Sequence, residues 1–478
     1  MDIHKILKDR FGFEHFRPGQ EGVIRDVITG NDTIAILPTG LGKSLCYQLP
    51  AYASSGTVLI ISPLVSLMED QVANMKRNGE KYVIALNSFL SFKEKNRVLE
   101  DLAIYKFIFI SPEMLLQPMT SNKLKYIQLS LIVIDEAHCI SQWGFDFRPD
   151  YLRIGEFLEQ PNRPNVLALT ATADEKVVKD IVRYLNLKSP SIHRHSLDRP
   201  NITFSIMKME SQNAKTAWIK ERIQGTIGPG IIYVSSRKRA DELTSYLLDE
   251  GVLVASYHAG MEPTDRAFIQ EQFINGEIQW ICATNAFGMG IHKNDIRQII
   301  HEHFSSTIAG YIQEVGRAGR DGEQSAATLL YAPDDERKTR FIIQEDMPHE
   351  EEVRTYTALI ANKTASEEAA TMAGLSETGK RVLDYYLERM QLESTVHRLK
   401  EIANEKEKQL QQMLHIIHSD RCIRKNIMSY FDEELIDRPN ACCSACGFSL
   451  PNWIVDTKMK SYNRQPEKWL DRLIGLLG

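Results

Sequence analysis

Short, continuous apolar runs recur through the first third of the chain. Five of them fall between residues 32 and 171, in DTIAIL, TVLIIS, FIFIS, LIVIDE and NVLALTA, and the stretches between them read as helices. A strand that is apolar along its whole length is buried on both faces, which is typical of a parallel sheet covered by helices on each side. The runs therefore predict an α/β domain built on a parallel sheet.

The same pattern starts again after LDRPNITF and continues to about residue 332, in GIIYVS, VLVASYH, QWICATN, RQIIHEH and AATLLYA. From about 335 to 431 these runs stop, and Glu, Lys, Leu and Ala recur at helical spacing. We therefore predict a first α/β domain over 1–205, a second over 206–340, a helical region over 341–450 and a tail over 451–478.

The composition is that of an ordinary water-soluble protein. The 478 residues are 43% hydrophobic and 25% charged, which is enough for several domains with separate cores. The chain has no apolar run of about 18 residues and no signal peptide in MDIHKILKDR, so we expect a cytoplasmic protein that neither crosses a membrane nor is exported. The net charge of −6 argues against attraction of nucleic acid to the whole surface but leaves room for a local basic groove.

A glycine-rich turn, ILPTGLGKS, follows the first apolar run and precedes an apolar helical stretch. The general phosphate-loop pattern has glycine where this chain has Leu37, but the shorter form TGLGKS is present. Gly40 and Gly42 allow backbone N–H groups to turn towards phosphate oxygens at a helix N-terminus. Lys43 adds a charge for the β and γ phosphates, and Ser44 offers a hydroxyl to Mg²⁺. The motif predicts a nucleotide site; the alternative is a strand-to-helix turn without a ligand.

The acidic pair in LIVIDEAH stands at the end of another apolar run, where the loops of a parallel sheet face its ligand crevice. Asp135 is suited to holding Mg²⁺ through water, and Glu136 to polarising an attacking water. Such a pair is common after strands without any catalytic role. Beside a phosphate loop, however, it indicates hydrolysis of a nucleotide.

Two arginines of the second α/β domain, Arg317 and Arg320, are three residues apart in YIQEVGRAGRDG. On a helix this spacing puts both guanidinium groups on one face. There they are suited to gripping the charge that spreads over a phosphoryl group in its transition state. The alternative is a solvated face that forms salt bridges.

An aromatic stretch, ISQWGFDFRPDY, follows the acidic pair almost directly. A buried strand would be apolar or alternating, and a solvent loop would avoid Trp and Phe. The stretch fits neither description, which indicates a special role.

These features belong to a series of motifs: FGFEHFRPGQ, TGLGKS, SPLVSLMEDQV, SPE, DEAH, LTATA, ATNAFGMGIHK and QEVGRAGRDG. In this order they resemble the motifs of superfamily-two helicases, and specifically of the RecQ DNA helicases in their short bacterial form. The match runs from about residue 8 to 335 and resumes at 409 to 446, and FRPGQ and CISQWGFDFRPDY separate RecQ from other DEAH proteins. His292 and Asn294 stand where the family usually has Asp and Pro.

The resemblance implies two RecA-like domains in tandem, followed by a helical zinc-binding region. It also implies an ATP-dependent, DNA-stimulated helicase that moves 3′ to 5′ in DNA repair, recombination or replication-fork processing. The expected partners are single-stranded DNA and tailed or forked duplexes, and the expected cofactors are ATP, Mg²⁺ and Zn²⁺. We expect a nucleoid-associated monomer. One rival is an ATP switch that remodels or recruits partners on DNA without strong unwinding, and another is an RNA helicase.

The resemblance further implies which residues form the ATP site. In the family the first motif binds adenine, which corresponds here to Arg17 and Gln20 with Phe13 as a stacking partner, and the last motif supplies an arginine finger, here Arg320. The remaining matches are Thr39, Gly40, Gly42, Lys43 and Ser44 in the phosphate loop, Asp135 and Glu136 in the acidic motif, Thr170 and Thr172 in the motif that couples the domains, Gly288, Met289 and Gly290 lining the cleft, and Gln313 and Arg317 beside the finger. Because the finger and the phosphate loop lie on different domains, hydrolysis is expected to require domain closure.

By the same resemblance the aromatic stretch meets single-stranded DNA. The residues concerned are Trp143, Phe145, Phe147 and Arg148, and stacking of a ring on a base contributes roughly 1–3 kcal/mol whatever the base. Because the loop begins a few residues after Glu136, DNA bound there is expected to gate hydrolysis. The alternative is that the aromatic rings pack the loop on to its own domain.

A cysteine cluster near the end of the chain resembles the RecQ zinc module, in which one helical cysteine and three later ones form a tetrahedral thiolate site. Cys422, Cys443 and Cys446 match its spacing. Asn440 stands at one expected ligand position, and Cys442 adjoins Cys443 instead, although adjacent ligands strain a tetrahedral site. We predict zinc bound by these four cysteines, the alternative being free cytosolic thiols.

Residues 364–390 read as two helices around a turn at Gly374, with a capping box from Thr364 to Glu367 and Ser376 capping the second helix. The commonest RecQ layout lacks this insertion. It resembles a helix-turn-helix with basic residues at 380 and 381, so it either binds DNA or serves as scaffold. After Cys446 too few residues follow for the winged helix that splits duplexes in longer relatives.

Overall fold

The computed structural model describes residues 2–448 except 88–89, 142–148, 161, 227, 286, 288–292 and 346. The predicted site residues that lie outside the described residues are Trp143, Phe145, Phe147, Arg148, Gly288, Met289 and Gly290, together with His292.

Seven parallel strands form the sheet of the first domain, in the order β3-β4-β2-β5-β6-β1-β7. The strands are β1 Thr33–Ile36, β2 Thr57–Ile61, β3 Val83–Leu86, β4 Phe107–Ile110, β5 Leu129–Ile134, β6 Val166–Thr170 and β7 Ser191–Arg194. The helices are α1 Ile3–Phe11, α2 Gln20–Ile28, α3 Leu45–Ala53, α4 Val65–Arg77, α5 Phe92–Glu100, α6 Pro112–Leu115, α7 Pro118–Lys125, α8 Ile154–Leu158 and α9 Glu175–Tyr184, with 3₁₀ turns at Leu102–Ile104, Ala137–Ile140 and Pro149–Arg153.

The central strands β1, β2, β4 and β6 are buried along their whole length, which is why they stand out in the sequence as unbroken apolar runs. Strands β5, β6 and β1 are neighbours in the sheet. Their carboxyl ends lead into the acidic pair, the Thr170 motif and the phosphate loop respectively. The strand order therefore brings three distant sequence motifs to one edge of the sheet.

Six parallel strands form the second sheet, in the order β10-β11-β9-β12-β13-β8. The strands are β8 Ile202–Lys208, β9 Gly230–Tyr233, β10 Val254–Tyr257, β11 Trp280–Ala283, β12 Gln298–His301 and β13 Ser325–Tyr331, and the helices are α10 Gln212–Gln224, α11 Arg237–Asp249, α12 Pro263–Asn275 and α13 Ile308–Val315. The two parallel-sheet domains confirm the predicted fold class. Strand β8 pairs with β13 from Ile202 onwards, so the second sheet begins before residue 206.

The region after the second sheet is helical, as predicted. Its helices are α14 Asp335–Glu345, α15 Glu350–Ala361, α16 Ser366–Ala373, α17 Glu377–Leu387, α18 Leu392–His418 and α19 Ile423–Tyr430, followed by a 3₁₀ turn at Ser444–Cys446. Helices α15 to α18 enclose an apolar core of their own. Among the helices of the described part of the chain, none is both long and apolar enough to span a membrane.

The turn between α16 and α17 follows the prediction only in part. Gly374 has a φ of 80° and ends α16, and the Ser376 hydroxyl accepts a hydrogen bond of 3.0 Å from the Gly379 N–H. The predicted capping box at Thr364 is wrong, because α16 begins two residues later with Ala365 as its N-cap, and alanine has no side-chain acceptor.

Candidate nucleotide site and zinc centre

The phosphate loop follows β1 and is held from outside by the first motif. Gly40 and Gly42 have φ values of 90° and 73°, which favour glycine. The Gln20 amide donates to the carbonyls of Leu41 at 2.7 Å and Gly42 at 3.1 Å, and the Arg17 guanidinium donates to the Gly40 carbonyl. These two residues therefore support the loop; their contact with adenine stays a prediction.

Helix α3 begins directly after the loop, with Ser44 as its N-cap residue. Lys43 reaches into the cleft, where its Nζ lies 3.6 Å from Glu136 Oε1. Although this nitrogen is buried, it has no hydrogen-bond partner within the described residues. A buried, unsatisfied ammonium beside a loop of positive-φ glycines is a suitable environment for a phosphate.

The acidic pair lies beside the phosphate loop at the end of β5. Glu136 adopts a left-handed conformation with φ 47° and ψ 48°, which is strained for a residue other than glycine and is typical of functional sites. Its Oε2 lies 3.4 Å from His138 Nδ1, and the same nitrogen lies 2.9 Å from the Thr170 hydroxyl oxygen. The Thr170 hydroxyl in turn donates to the Thr172 carbonyl at 3.0 Å. The acidic motif is thus connected to the threonine motif that the resemblance assigns to domain coupling.

The two carboxylates of the pair have opposite pKa shifts. Burial and the neighbouring Glu136 charge raise the pKa of Asp135 to about 6. Burial also acts to raise the pKa of Glu136, but the charges of Lys43, His138 and Arg317 outweigh it and hold that pKa below its ordinary value. Glu136 is therefore a carboxylate at neutral pH, as orientation of an attacking water requires.

The second domain brings its arginines against the phosphate loop. A Cβ placed on Gly40 would stand 3.3 Å from Arg320 Cγ, and the Thr39 hydroxyl donates to the Gly316 carbonyl at 2.7 Å. Gln313 is buried and lines the cavity between the domains. The structure thus brings Thr39 and Gly40 of the first domain together with Arg320 of the second in a closed cleft.

The expected helical spacing of Arg317 and Arg320 is wrong. Helix α13 ends at Val315, and Gly319 has a φ of 52°. The N–H groups of Arg317 and Ala318 bond three residues back, to the carbonyls of Glu314 and Val315, so the chain tightens into turns. Both arginines still serve the cleft, because the Arg317 charge lowers the pKa of Glu136 and Arg320 lies at Gly40.

Sequence reasoning missed two residues that contact this site. The Tyr151 hydroxyl, at the end of the aromatic stretch, donates to the Asp135 carbonyl at 2.9 Å. Arg199 donates to the Thr39 carbonyl at 3.2 Å. Nothing in the local sequence pairs these residues with their partners, which lie 16 residues away for Tyr151 and 160 residues away for Arg199.

The residues fit a nucleoside triphosphate with a divalent cation. The guanidinium groups of Arg199, Arg317 and Arg320 lie close together. Burial and the like charges of Arg317 and Arg199 lower the pKa of Arg320 to about 10. Together with Lys43 the three groups form a cationic cluster suited to several phosphate charges. Ser44 and Asp135 are the residues that would hold Mg²⁺.

The four predicted zinc ligands converge. The sulfur atoms of Cys422, Cys442, Cys443 and Cys446 all lie within 4.8 Å of one another. The separations are 3.6 Å for 422 to 442, 3.8 Å for 422 to 443 and 3.3 Å for 443 to 446. Zn–S bonds of about 2.3 Å in a tetrahedron put sulfur atoms about 3.8 Å apart, so the thiol set fits zinc. Cys442 takes the fourth position, and Asn440 is exposed.

Cys446→Ala is expected to lower the zinc content of the purified protein and to destabilise residues 409–450 by roughly 3 kcal/mol or more, because structural zinc contributes on the order of 10 kcal/mol to folding of small modules. Asn440→Ala is the matched control and should keep one zinc per chain and the wild-type melting temperature. Elemental analysis and thermal unfolding measure both effects. Pure, active wild-type protein without zinc would refute the assignment.

The contacts of the inserted helices favour scaffold over DNA binding. Lys380 is paired with Glu367 at 3.2 Å and with Asp384 at 3.0 Å, and Arg381 with Glu377 at 2.6 Å. The basic residues of the presumed recognition helix α17 are therefore paired with carboxylates of the same region. Just beyond its end, Arg389 forms an ion pair of 2.7 Å with Glu156 of the first domain.

Comparison with known proteins finds three family matches along the chain. Residues 17–181 match the DEAD/DEAH box helicase family, 214–322 the helicase conserved C-terminal domain, and 383–448 the RecQ zinc-binding family. Probable ATP-dependent DNA helicase RecS of Bacillus subtilis is 42% identical over 94% of this chain and 92% of its own length. ATP-dependent DNA helicase RecQ of the same organism is 36% identical over 92% of this chain and 66% of its own length. The solved structure of S. cerevisiae Dbp5, bound to RNA and ADP BeF3, shares the fold, with a TM-score of 0.58 and 19% identity over 72% of this chain and 90% of Dbp5.

Proposed function

Because this chain belongs to the RecQ family of helicases, we propose that it is an ATP-dependent DNA helicase that moves 3′ to 5′ along single-stranded DNA. The observation that carries the proposal is the closed cleft, in which Lys43 and Glu136 of the first domain meet Arg320 of the second. We place its work in DNA repair, recombination or replication-fork processing, as a cytoplasmic monomer on nucleoid DNA.

Each residue of the cleft has a distinct part in hydrolysis. Lys43 and the N–H groups of the phosphate loop bind the β and γ phosphates, and Glu136 orients the attacking water. Ser44 and Asp135 would hold Mg²⁺, which would neutralise phosphate charge. Arg320 stabilises the charge that develops on the transferred phosphoryl group. Arg317 adds to the effect of Lys43 in holding the pKa of Glu136 below its ordinary value.

The bonds between the domains explain how hydrolysis is coupled to movement. Thr39 of the phosphate loop bonds to Gly316 only when the cleft is closed, because the two residues belong to different domains. Hydrolysis and phosphate release remove the charge that attracts Arg320 to the loop, so the domains can separate. Alternate closing and opening on a bound strand then provides the step along DNA.

We assign contact with the DNA strand to the aromatic stretch. Tyr151 closes that stretch and donates its hydroxyl to the Asp135 carbonyl. A base bound by Trp143, Phe145, Phe147 or Arg148 therefore has a short covalent and hydrogen-bonded route to the acidic pair. Those four contacts remain proposals.

Trp143→Ala is expected to leave DNA-free ATPase near its basal rate and to reduce stimulation by single-stranded DNA sharply. Binding to DNA should weaken by at most about 1–3 kcal/mol, because phosphate contacts supply much of the affinity. ATPase with and without DNA, together with the melting temperature, measures these effects. A lower melting temperature with a parallel loss of DNA-free ATPase would instead mean that Trp143 only packs the loop, and full DNA stimulation would exclude the coupling role.

The two rivals make different predictions for the nucleic acid. An RNA helicase should be stimulated at least as well by single-stranded RNA as by DNA of the same sequence, whereas we expect stimulation by DNA alone. An ATP switch should hydrolyse ATP on DNA without separating strands. The cysteine set argues against the first rival, because it matches the RecQ zinc-binding family.

A further inference from the structure

A single arginine connects the phosphate loop with the arginine-bearing turn of the second domain. Arg199 lies on the linker 195–201, between β7 at the edge of the first sheet and β8 at the edge of the second. Its Nη1 donates to the Thr39 carbonyl at 3.2 Å, and its Nη2 donates to the carbonyls of Ala318 at 3.1 Å and Gly319 at 2.6 Å. The guanidinium therefore contacts main-chain atoms of both domains at once.

The three carbonyls that accept from Arg199 belong to the two segments that meet in the cleft. Thr39 is the first residue of the TGLGKS loop, and Ala318 and Gly319 lie between Arg317 and Arg320. Holding the three carbonyls around one planar group fixes the distance from the phosphate loop to the finger. Within the described residues Arg199 forms no salt bridge, so its charge also adds to the cationic cluster.

The backbone of Arg199 is anchored by the zinc-binding region. Arg424 of α19 is fully buried and donates to the carbonyls of Arg199, at 3.1 Å, and Ile202, and to the Asp198 carboxylate. The neighbouring Asn201 amide donates to the Gly319 carbonyl at 2.9 Å. These contacts hold the Arg199 backbone against β8 of the second domain, so its side chain presents a fixed donor to the phosphate loop of the first.

We propose that Arg199 is a positioning residue that places the arginine finger for hydrolysis in the closed cleft. The inference rests on the proposed ATPase function. When the domains separate, Thr39 moves away from Ala318 and Gly319, and one guanidinium cannot follow both sides. The bond to Thr39 therefore exists only in the closed form, and Arg199 favours the geometry in which Arg320 meets the γ phosphate.

Arg199→Lys tests this role because lysine keeps the charge but lacks the planar fork that reaches carbonyls on two sides. We expect the DNA-stimulated kcat for ATP to fall roughly 10- to 100-fold, as for a misplaced catalytic group. The KM for ATP and the affinity for a fluorescent non-hydrolysable ATP analogue should change less than about threefold, because the phosphate loop itself is intact. The melting temperature should fall no further than in the control below, because each variant loses a comparable set of bonds.

Arg163→Lys is the matched control. Arg163 is also a partly buried arginine of the first domain, with bonds of 2.9 and 2.7 Å to Asp32 and 3.0 Å to the Pro164 carbonyl, but it lies at the opposite end of the sheet. It should lose stability and retain the wild-type kcat. An equal loss of kcat in both variants, or a loss in Arg199→Lys that merely follows its folded fraction, would overturn the inference.

The wild-type chain separates this inference from the proposed function. If wild type shows DNA-stimulated ATPase and Arg199→Lys matches its kcat, the positioning role is wrong while the function stands. If wild type hydrolyses no ATP on single-stranded DNA, the proposed function fails and this inference fails with it.

Discussion

Lys43→Ala is expected to lower ATP hydrolysis at least about a hundredfold, with or without DNA, because it removes a preorganised charge from the phosphates. The buried Lys43 ammonium has no hydrogen-bond partner within the described residues, which leaves it available to the ligand. Its carboxylate neighbour, Glu136, keeps the charge of Arg317 as a cationic neighbour. The folded state should therefore survive the change, which circular dichroism and the melting temperature would show.

Lys106→Ala provides the control for a lost lysine in the same domain. Lys106 donates to the carbonyls of Ser54 at 2.8 Å and Gly56 at 2.9 Å, away from the cleft. This variant should lose some stability and keep its ATPase. Substantial hydrolysis by a folded Lys43→Ala protein would refute the nucleotide site.

Arg320→Ala is expected to bind ATP with nearly wild-type affinity and to lose turnover by roughly 10³-fold or more, as removal of an arginine finger does. The finger acts on the transition state, so its loss appears in kcat and much less in binding. Burial and the charges of Arg317 and Arg199 lower the pKa of Arg320 to about 10, which leaves it charged at neutral pH.

Titration with a fluorescent ATP analogue and single-turnover hydrolysis would separate the two effects. Arg337→Ala, which changes an exposed arginine of helix α14 outside the cleft, serves as the control and should behave as wild type in both measurements. Collapse of ATP affinity in Arg320→Ala with normal turnover of the bound fraction would mean that its role is misassigned.

The strands that the sequence reveals are those buried on both faces. Strands β1, β2, β4 and β6 are apolar throughout, whereas β7 at the sheet edge alternates half-buried Ser191 and His193 with exposed Ile192 and Arg194, and was not predicted. The other edge strand, β3, was not predicted either, although it is as long as β1 and β4 and largely buried. Strand β7 lacks a neighbour on one side, so its residues carry a weaker apolar signal.

Residues of the candidate site were predictable where they belong to a short motif, and not where their role depends on contacts with distant segments. Gly40, Gly42 and Lys43 were predictable because a phosphate loop is a local motif with a local geometry. The spacing of Arg317 and Arg320 suggests a helix, but the segment is a turn. The positive φ at Gly319 that breaks the helix leaves no mark on the spacing. Arg199 was missed because its contacts reach over more than a hundred residues, to Thr39 and Gly319.

Strand separation on three matched duplexes tests the central claim most directly. Wild-type protein with ATP and Mg²⁺ would be given a 3′-tailed, a 5′-tailed and a forked duplex of the same paired sequence, with Lys43→Ala as the inactive control. We predict unwinding of the 3′-tailed and forked duplexes, little of the 5′-tailed one, and none by Lys43→Ala. Robust DNA-stimulated ATPase without separation of any duplex would contradict the helicase function and support the ATP switch, and preferential unwinding of the 5′-tailed duplex would contradict the proposed direction.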